Sequence, residues 1–362
     1  ELSSQETRTT ASIVRRLQVA GLEPKVLNCG TGLVCDVGTG DGPVLALRAD
    51  IDALAMEDES HSSYRSHVEG VAHACGHDVH TAIVLGAGLY FAQNPPTGRV
   101  RLIFEPAEET VPGGAVDVID EGHLDDVGVI FGLHCDPKKQ VGTIGLRTGP
   151  VSSASDLVRI TLDGPGGHTA RPEATVDLVA VTSELALRLP QVLTERVERA
   201  DKGPIRLVWG SFISGDAPNV IPAKAVLTGT LRTPDRVVWE ALRRLLTESV
   251  ELILGESGVQ WDLYYRHGVP PVDNHVEPTA LWADAIADEL GQAAVVPTEQ
   301  SWGGDSFAWY TDRVPGCYGR LGVHNGHGDT LDLHASTFDV DERAIEVGVR
   351  AMVAATRSWF GR

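Results

Sequence analysis

Three apolar runs in the first 140 residues have the composition of buried β-strands, and a segment with helical spacing lies between the first two. The runs cover residues 43–54, 98–110 and 127–137, and the helix-spaced segment covers 80–93. Strands that alternate with helices are typical of a mainly parallel sheet with helices packed on it. The pattern therefore predicts an α/β domain.

Polar residues stand at the carboxyl ends of these predicted strands. Asp50 and Asp52 end the first strand. Glu108 and Glu109 follow the second strand, and His134 ends the third. Because open α/β sheets bind ligands beyond the carboxyl ends of their strands, we expect a functional site at this edge of the sheet.

The middle of the chain has a different pattern. Its elements follow the order strand, helix, strand, strand, helix, strand, over residues 155–164, 175–193, 205–215, 223–233, 235–255 and 259–268. This is the split βαβ order of a ferredoxin-like α+β domain. We therefore predict a main domain formed by residues 1–151 plus 269–362, with a smaller domain, 152–268, inserted in it.

Composition and charge argue against several classes of partner. The 362 residues include 50 acidic and 30 basic side chains, for a formal net charge of -20. Nucleic acids and anionic membranes select basic faces, so we expect the chain to bind neither. An anionic substrate would need a local arginine. No apolar run reaches the ~20 residues of a membrane span, and no signal-peptide pattern begins the chain.

The cysteine count favours a reducing compartment. The five cysteines are Cys29, Cys35, Cys75, Cys135 and Cys317. An odd number in a long chain does not indicate a disulfide framework, so we expect a cytoplasmic location. Cys75 differs from the others because it lies in "HACGHDVHTA" (73–82), two residues before His77.

That segment and the strand ends together offer thiolate, imidazole and carboxylate groups, which suit a soft or borderline divalent metal. The candidate ligands are Cys75, His77, Glu108, Glu109, His134 and His334. Each alone has a simpler explanation, because a histidine at a strand end usually makes ordinary hydrogen bonds and paired glutamates usually face solvent. Their accumulation at one edge of the predicted sheet favours a metal site.

A series of motifs along the chain resembles one known family. The motifs are "LRADIDAL", "HACGHDVHTA", "FEPAEET", "GLHCDP", "GPGGHTARP", "NVIP", "GTLRT" and "LHASTFDVDE". In this order they resemble the amidohydrolase branch of the metallo-aminoacylase/carboxypeptidase superfamily, which holds hippurate hydrolases, N-acyl-L-amino-acid amidohydrolases and indole-acetyl-amino-acid hydrolases. The resemblance covers nearly the whole chain. It implies a phosphorylase/hydrolase-like catalytic domain with an inserted lid or dimerisation domain.

The resemblance also implies a dimetal site. Two divalent ions per subunit, zinc or manganese with cobalt or nickel as alternatives, would be held by Cys75, His77, Glu109, His134 and His334. Glu108 matches the family's general base. Asp50 and Asp52 match acidic residues that do not bind the metals but orient the metal ligands.

For the inserted domain, the resemblance implies substrate-binding residues and a homodimer. Asn219 and Arg232 match substrate-binding positions, and Arg232 would hold the substrate's α-carboxylate by paired hydrogen bonds. His168 matches a histidine that reaches the active site of the partner subunit and stabilises the oxyanion. From the residues alone, His168 is equally well a turn residue, and Arg232 a surface arginine.

The chain departs from the family pattern at three places. Asp305 and Ser306 stand where the family usually has a Glu-Asp pair, and we expect activity to survive with altered substrate preference or local support. Glu105 stands where glutamine is common, which adds negative charge near the site. The family has further residues before the motif that contains Glu1, so we expect a missing N-terminal segment.

The leading prediction is a metal-dependent amidohydrolase that cleaves N-acyl amino acids to a carboxylic acid and a free amino acid. A dipeptidase or carboxypeptidase is the alternative with the same chemistry. A non-catalytic dimeric binding protein is disfavoured because Glu108 and all five ligand positions are filled. A thiol redox protein is disfavoured because Cys75 has no second cysteine at Cys-x-x-Cys spacing. His73 and His80 receive no role.

Overall fold

A computed structural model describes residues 1–328 and 330–361, and the chain divides into two compact units. The first unit contains Glu1–Val151, Val272–Glu299 and the described residues from Ser306 onward. The second contains Ser152–Pro271 and also Gln300–Asp305. The sequence pattern places this last segment in the main domain, whereas its backbone packs with the second unit.

The helices and strands are as follows. The α-helices in the described residues are α1 Thr7–Val19, α2 His77–Gln93, α3 Ala115–Asp120, α4 Leu178–Arg199, α5 Arg236–Leu254, α6 Val276–Leu290, α7 Phe307–Thr311 and α8 Arg343–Phe360. The strands are β1 Lys25–Val26, β2 Leu33–Val37, β3 Val44–Asp50, β4 Val100–Glu105, β5 Val127–Gln140, β6 Ile144–Leu146, β7 Gly149–Pro150, β8 Ala154–Asp163, β9 Gly167–His168, β10 Arg206–Ser214, β11 Val220–Ile221, β12 Lys224–Thr233, β13 Gln260–Val269, β14 Asp273–Asn274, β15 Val295–Pro297 and β16 Gly316–His324. None of the helices within the described part of the chain has the length and apolar character needed to cross a membrane.

The first unit is built on an eight-stranded sheet in the order β1-β2-β4-β3-β5-β16-β6-β15. Its four middle strands, β4, β3, β5 and β16, run parallel. Every residue of β3 and of β4 is buried. Burial on both faces explains why these strands are nearly continuous apolar runs, and the predicted α/β architecture with a mainly parallel sheet is confirmed.

Strand β5 is longer than the sequence pattern predicts. Its pairing with β3 ends at Gly132, but β16 continues beside it and pairs with His134 and Gln140. The predicted strand end at His134 is therefore wrong, because the neighbour on the other side extends the strand. His134 still lies two residues beyond the last β3 pairing, level with the carboxyl end of that strand.

Helices α2, α6 and α8 pack together on the sheet of the first unit. Trp282 of α6 is fully buried in this layer. Its ring centroid lies 5.0 Å from that of Phe131 on β5, and its indole N–H donates to the Ala351 carbonyl of α8 at 3.0 Å. This side chain joins two helices to the strand that carries His134.

The second unit contains a four-stranded antiparallel sheet in the order β10-β12-β8-β13. Helices α4 and α5 pack against each other and against strands of this sheet. Each helix begins at an aspartate N-cap: Asp177 accepts a hydrogen bond from the Ala180 amide, and Asp235 accepts one from the Val238 amide. The strand order is that of a ferredoxin-like unit.

We predict that Trp282→Ala lowers the free energy of unfolding by about 3–5 kcal/mol, because it removes a fully buried ring and its indole hydrogen bond. The matched control is Val276→Ala on the same helix, at a side chain that is 71% exposed. This control should change stability by less than about 0.5 kcal/mol. Equal denaturation midpoints for the two variants would contradict the predicted core position of Trp282.

Candidate metal centre and substrate residues

Cys75 and His77 lie on either side of a glycine that the fold requires. Gly76 has a φ of +82°, and a Cβ at this position would lie 2.7 Å from the Cys135 sulfur. Only glycine meets both conditions without strain. The resulting tight turn starts α2 at His77, whose side chain is buried and contacts the residues that end β3.

The five side chains predicted as metal ligands come together in overlapping groups. Within each group, one potential ligand atom per residue lies within 4.8 Å of the others. Three groups contain predicted ligands only or with Glu108: Cys75 with His77 and His134, Cys75 with Glu109 and His334, and His77 with Glu108 and Glu109. A fourth group joins His77 to Asp50 and His80. Since the groups share members, they form one continuous cluster rather than separate sites.

Hydrogen bonds orient the two buried histidines of the cluster. His77 Nδ1 lies 3.2 Å from Asp52 Oδ1, and His134 Nδ1 lies 2.8 Å from the Cys135 carbonyl oxygen. Because a carboxylate and a carbonyl only accept hydrogen bonds, each Nδ1 carries the proton. Each ring therefore turns Nε2 toward the cluster, where His134 Nε2 lies 3.5 Å from the Cys75 sulfur.

Two atoms of the cluster are buried without a hydrogen-bond partner. They are His77 Nε2 and Glu109 Oε1, which lie 3.8 Å apart and make no hydrogen bond of good geometry within the described residues. His334 Nε2 lies 3.3 Å from Glu109 Oε1 and can form an ion pair with it when the imidazole is protonated. A buried polar atom left unsatisfied costs about 1–3 kcal/mol, so His77 Nε2 in particular is unfavourable unless something binds beside it. A divalent cation satisfies both atoms, and the thiolate, imidazole and carboxylate set suits zinc-like ions. The residues present therefore fit a metal centre.

Two buried carboxylates stand behind the cluster. Burial alone would raise the pKa of Asp50, but the Arg48 guanidinium, 2.6 Å away, and nearby histidines outweigh it and hold that pKa well below its usual range. Burial opposes ionisation of Asp52 as well, yet hydrogen bonds from His77 and from the Glu109 amide lower its pKa. Both carboxylates are therefore charged where they support the cluster.

Glu108 follows a strained turn at the end of β4. Ala107 has a φ of +53°, which is unusual for a residue with a side chain. Its amide donates to the buried Glu6 carboxylate at 2.8 Å. The turn leaves Glu108 Oε2 4.0 Å from His77 Nε2. His334, with a φ of +63°, is strained in the same way, as is typical of residues held for function.

His80 and Glu6 are supporting residues for which sequence analysis assigned no role. His80 Nδ1 donates to Asp50 Oδ1 at 2.6 Å, and its Nε2 accepts the Cys135 amide at 2.8 Å. Since both ring nitrogens are engaged, His80 ties α2 to β3 and β5. Its position three residues after His77 is the only signal of this role in the sequence, and Glu6 has none.

In the second unit, His168 and Asn219 lie at a two-stranded antiparallel sheet formed by β9 and β11. His168 on β9 pairs with Val220 on β11, and the Asn219 carbonyl accepts the Thr169 amide at 3.3 Å. The His168 side chain is exposed, and its Nδ1 accepts the Ala170 amide at 3.0 Å. Its Nε2 therefore carries the proton and is a hydrogen-bond donor that faces solvent.

Arg232 lies on β12 at another place in the second unit. Its Nη1 donates to the Trp302 carbonyl at 2.8 Å, and the Arg206 guanidinium stacks 3.8 Å from the Trp302 ring centroid. Burial lowers the pKa of Arg232. Among the described residues no carboxylate forms an ion pair with it. A half-buried guanidinium without a counter-ion keeps hydrogen-bond donors free to pair with an anion.

Comparison with known proteins identifies the family. The sequence model of the family described as Peptidase family M20/M25/M40 matches residues 46–358. The chain belongs to this family. As a member of the M20 family it is a metal-dependent hydrolase of amide bonds, and the resemblance to metallo-aminoacylases is confirmed.

Individual relatives carry different names, one of a ligase and one of a deacetylase. A Rhodococcus jostii (strain RHA1) protein with the provisional name glutamate–cysteine ligase 2-3 is 45% identical over 357 residues, covering 99% of this chain. The chain spans only 45% of the length of that protein. N-acetyl-L-cysteine deacetylase of Bacillus subtilis (strain 168) is 35% identical over 348 residues, covering 95% of this chain and 82% of that protein.

A solved structure bears on the number of metals. The Bacillus subtilis YXEP protein, described as a dinuclear metal-binding peptidase of the M20 family, superposes with a TM-score of 0.85 at 31% identity. The match covers 100% of this chain and 94% of that one. Together with the overlapping ligand groups, it supports two divalent metal ions per chain.

We predict that metal binding releases protons and strengthens as the pH rises. Burial raises the pKa of the Cys75 thiol to about 12, so the metal-free thiol is protonated at neutral pH. A bound metal requires the thiolate, and its affinity should therefore rise about tenfold per pH unit for each proton displaced. Calorimetry with zinc in buffers of different ionisation enthalpy measures the released protons.

The matched control is Cys75→Ser, which should release about one proton fewer than the wild-type protein and bind zinc more weakly. Identical proton release by the two proteins would show that Cys75 is not a ligand.

Proposed function

We propose that the chain hydrolyses N-acyl amino acids to a carboxylic acid and a free amino acid. The observation that carries this proposal is the Cys–His–Glu cluster with Glu108 beside it, together with an arginine in the second unit that lacks a counter-ion among the described residues. The cluster supports amide hydrolysis, because it offers metal ligands and a general base. The arginine supports a substrate with a free carboxylate.

Cys75, His77, Glu109, His134 and His334 would hold two metal ions, with zinc favoured by the thiolate and manganese, cobalt or nickel as alternatives. When bound, the ions would supply Lewis acidity and lower the pKa of a water molecule.

Glu108 is the proposed general base. It takes a proton from the attacking water as the new C–O bond forms, and it then gives that proton to the leaving nitrogen as the C–N bond breaks. Asp52 orients His77 during these steps through the hydrogen bond to Nδ1. Asp50 supports the same histidine by its charge.

The proposed substrate residues belong to the second unit. Arg232 binds the α-carboxylate, Asn219 binds the substrate amide, and the Nε2–H of His168 donates a hydrogen bond to the oxyanion of the partner subunit's substrate. The solvent-facing Nε2–H of His168 supports a role outside its own unit.

Strand β10 supports a homodimer. In the part of the chain that the structure describes, β10 pairs on one side only, with β12. Val208 and Ile213 on this edge are 60% and 65% exposed. An apolar edge strand invites pairing, and a second copy related by a two-fold axis would cover it without leaving an open edge. The five free cysteines support the proposed cytoplasmic location.

We predict that Glu108→Gln retains both metals but lowers kcat by about 10²–10⁴-fold, because it removes only proton transfer. The test combines metal analysis by mass spectrometry with a substrate panel that begins with N-acetyl-L-cysteine and includes dipeptides. The control is Glu256→Gln, at an exposed glutamate, which should behave as wild type. Near-normal kcat in Glu108→Gln would remove Glu108 as the base, and turnover of dipeptides alone would favour the dipeptidase alternative.

We predict that Arg232→Met lowers kcat/KM by about 10–150-fold for substrates with a free α-carboxylate, since a charge-assisted hydrogen bond contributes ~1.5–3 kcal/mol. The corresponding α-carboxamide substrate lacks the charge and is the internal control, with a much smaller change expected. Equal losses on both substrates would show that Arg232 does not bind the carboxylate.

Action of His168 in trans is tested by mixing two inactive variants. Each heterodimer of His168→Ala with Glu108→Gln contains one complete site, so random mixing should restore about a quarter of wild-type activity. Co-expression with two different tags isolates the heterodimer. Absence of any recovery in a purified heterodimer would place His168 in its own subunit's site or outside catalysis.

A further inference from the structure

A fully buried arginine lies next to the cluster of candidate metal ligands and donates hydrogen bonds to the side chains of Asp50, Glu105 and Ser306. Arg48 Nη1 donates to Asp50 at 2.6 Å, its Nε donates to Glu105 at 2.7 Å, and its Nη2 donates to the Ser306 hydroxyl at 3.0 Å. The side chains of Arg48, Asp50 and Glu105 are all 0% exposed. Charges buried this deeply are stable only with complete partners, so each contact constrains the others.

Ser306 connects this ion pair to the proposed general base. Its hydroxyl accepts from Arg48 and donates to Glu105 Oε1, which fixes the side chain from both directions. Its backbone amide donates to Glu108 Oε1 at 3.1 Å. The other oxygen of that carboxylate, Oε2, is the one 4.0 Å from His77 Nε2. The serine thus holds one oxygen of Glu108 while the second faces the ligands.

Close packing leaves Ser306 little freedom to move. The residue is fully buried, and a Cβ on Gly113 would lie 2.5 Å from the Ser306 Cβ. An amide fixed in this way is a preorganised donor whose hydrogen bond favours the charged form of the carboxylate that accepts it.

Glu105 and Ser306 are also two of the departures that the sequence shows, and they contact each other. We propose that they act as a coupled pair that positions Glu108: Glu105, paired with Arg48, anchors the Ser306 hydroxyl, and the Ser306 amide orients the base. This inference rests on the proposed role of Glu108 as general base. Ser306 and Glu105 are positioning residues, since neither is placed among the metal ligands or the substrate residues.

The buried charges around Arg48 support the coupling between positions 105 and 306. Arg48 faces a carboxylate at position 105 and a neutral hydroxyl at position 306. With glutamine at 105 and aspartate at 306, the arginine would still meet one acid and one neutral polar group beyond Asp50. Glu105→Gln alone or Ser306→Asp alone therefore alters the buried charge next to Glu108, while the two changes together preserve it.

The first test is Ser306→Ala, which changes no charge but removes the hydroxyl anchor. In the metal-loaded protein, the Glu108 carboxyl should titrate at higher pH than in the wild type, because a loosened amide stabilises the carboxylate less. Carbon-13 NMR of labelled glutamate follows this titration, and Glu108→Gln identifies the signal. Ser249→Ala, at an equally buried serine of the second unit, is the control and should leave the titration unchanged.

Kinetics supply the second readout. Ser306→Ala should lower kcat about tenfold with KM nearly unchanged, and the acid limb of the kcat profile should move to higher pH. Glu105→Gln and Ser306→Asp should each lower kcat about tenfold or more. The double variant should recover to within a few-fold of wild type, so the two effects should be strongly non-additive.

The outcomes separate this inference from the proposed function. An unchanged Glu108 titration in Ser306→Ala overturns the inference whether or not the enzyme turns over any substrate of the panel. Losses of Glu105→Gln and Ser306→Asp that simply multiply in the double variant overturn the coupling. A wild-type protein that hydrolyses nothing in the panel refutes the proposed function, while the NMR titration still decides the position of Glu108.

Discussion

The cluster of candidate metal ligands in the first unit depends on one buried cation, Arg48. Its guanidinium pairs with Asp50 on its own strand and with Glu105 on the neighbouring strand, in the row where these two residues face each other. Asp50 in turn binds His80 and faces His77. Removing one partner of a buried ion pair typically costs about 3–5 kcal/mol, so the arginine holds the strand ends and the start of α2 in one arrangement.

The candidate centre also carries features that do not favour folding. Within the described residues His77 Nε2 is buried without a hydrogen-bond partner, and His334 and Ala107 have left-handed backbone conformations. Each costs free energy that the surrounding core must offset. A metal site requires such unfavourable features, because its ligand atoms must be held close together at the end of the sheet before the ions bind. Metal binding and stability are therefore coupled in this unit.

Sequence analysis predicts the parallel sheet well, because strands buried on both faces leave continuous apolar runs such as the one over β3. It also selects the residues that meet in the cluster, since the motifs stand at strand ends. It does not predict the contact between Arg48 and Ser306, which lie 258 residues apart in the chain. Nor does it predict that residues 300–305 pack with the second unit, because their composition carries no periodic pattern.

The central claim is that Cys75, His77, Glu109, His134 and His334 form one dinuclear metal centre. Anomalous diffraction at the zinc edge from crystals of the zinc-loaded protein tests it most directly. The account predicts two peaks, with a zinc–sulfur distance of about 2.3 Å to Cys75 and zinc–nitrogen distances of about 2.0–2.1 Å to histidine Nε2 atoms. A single peak bound by His80 and Asp50, or zinc bound away from Cys75, would contradict it.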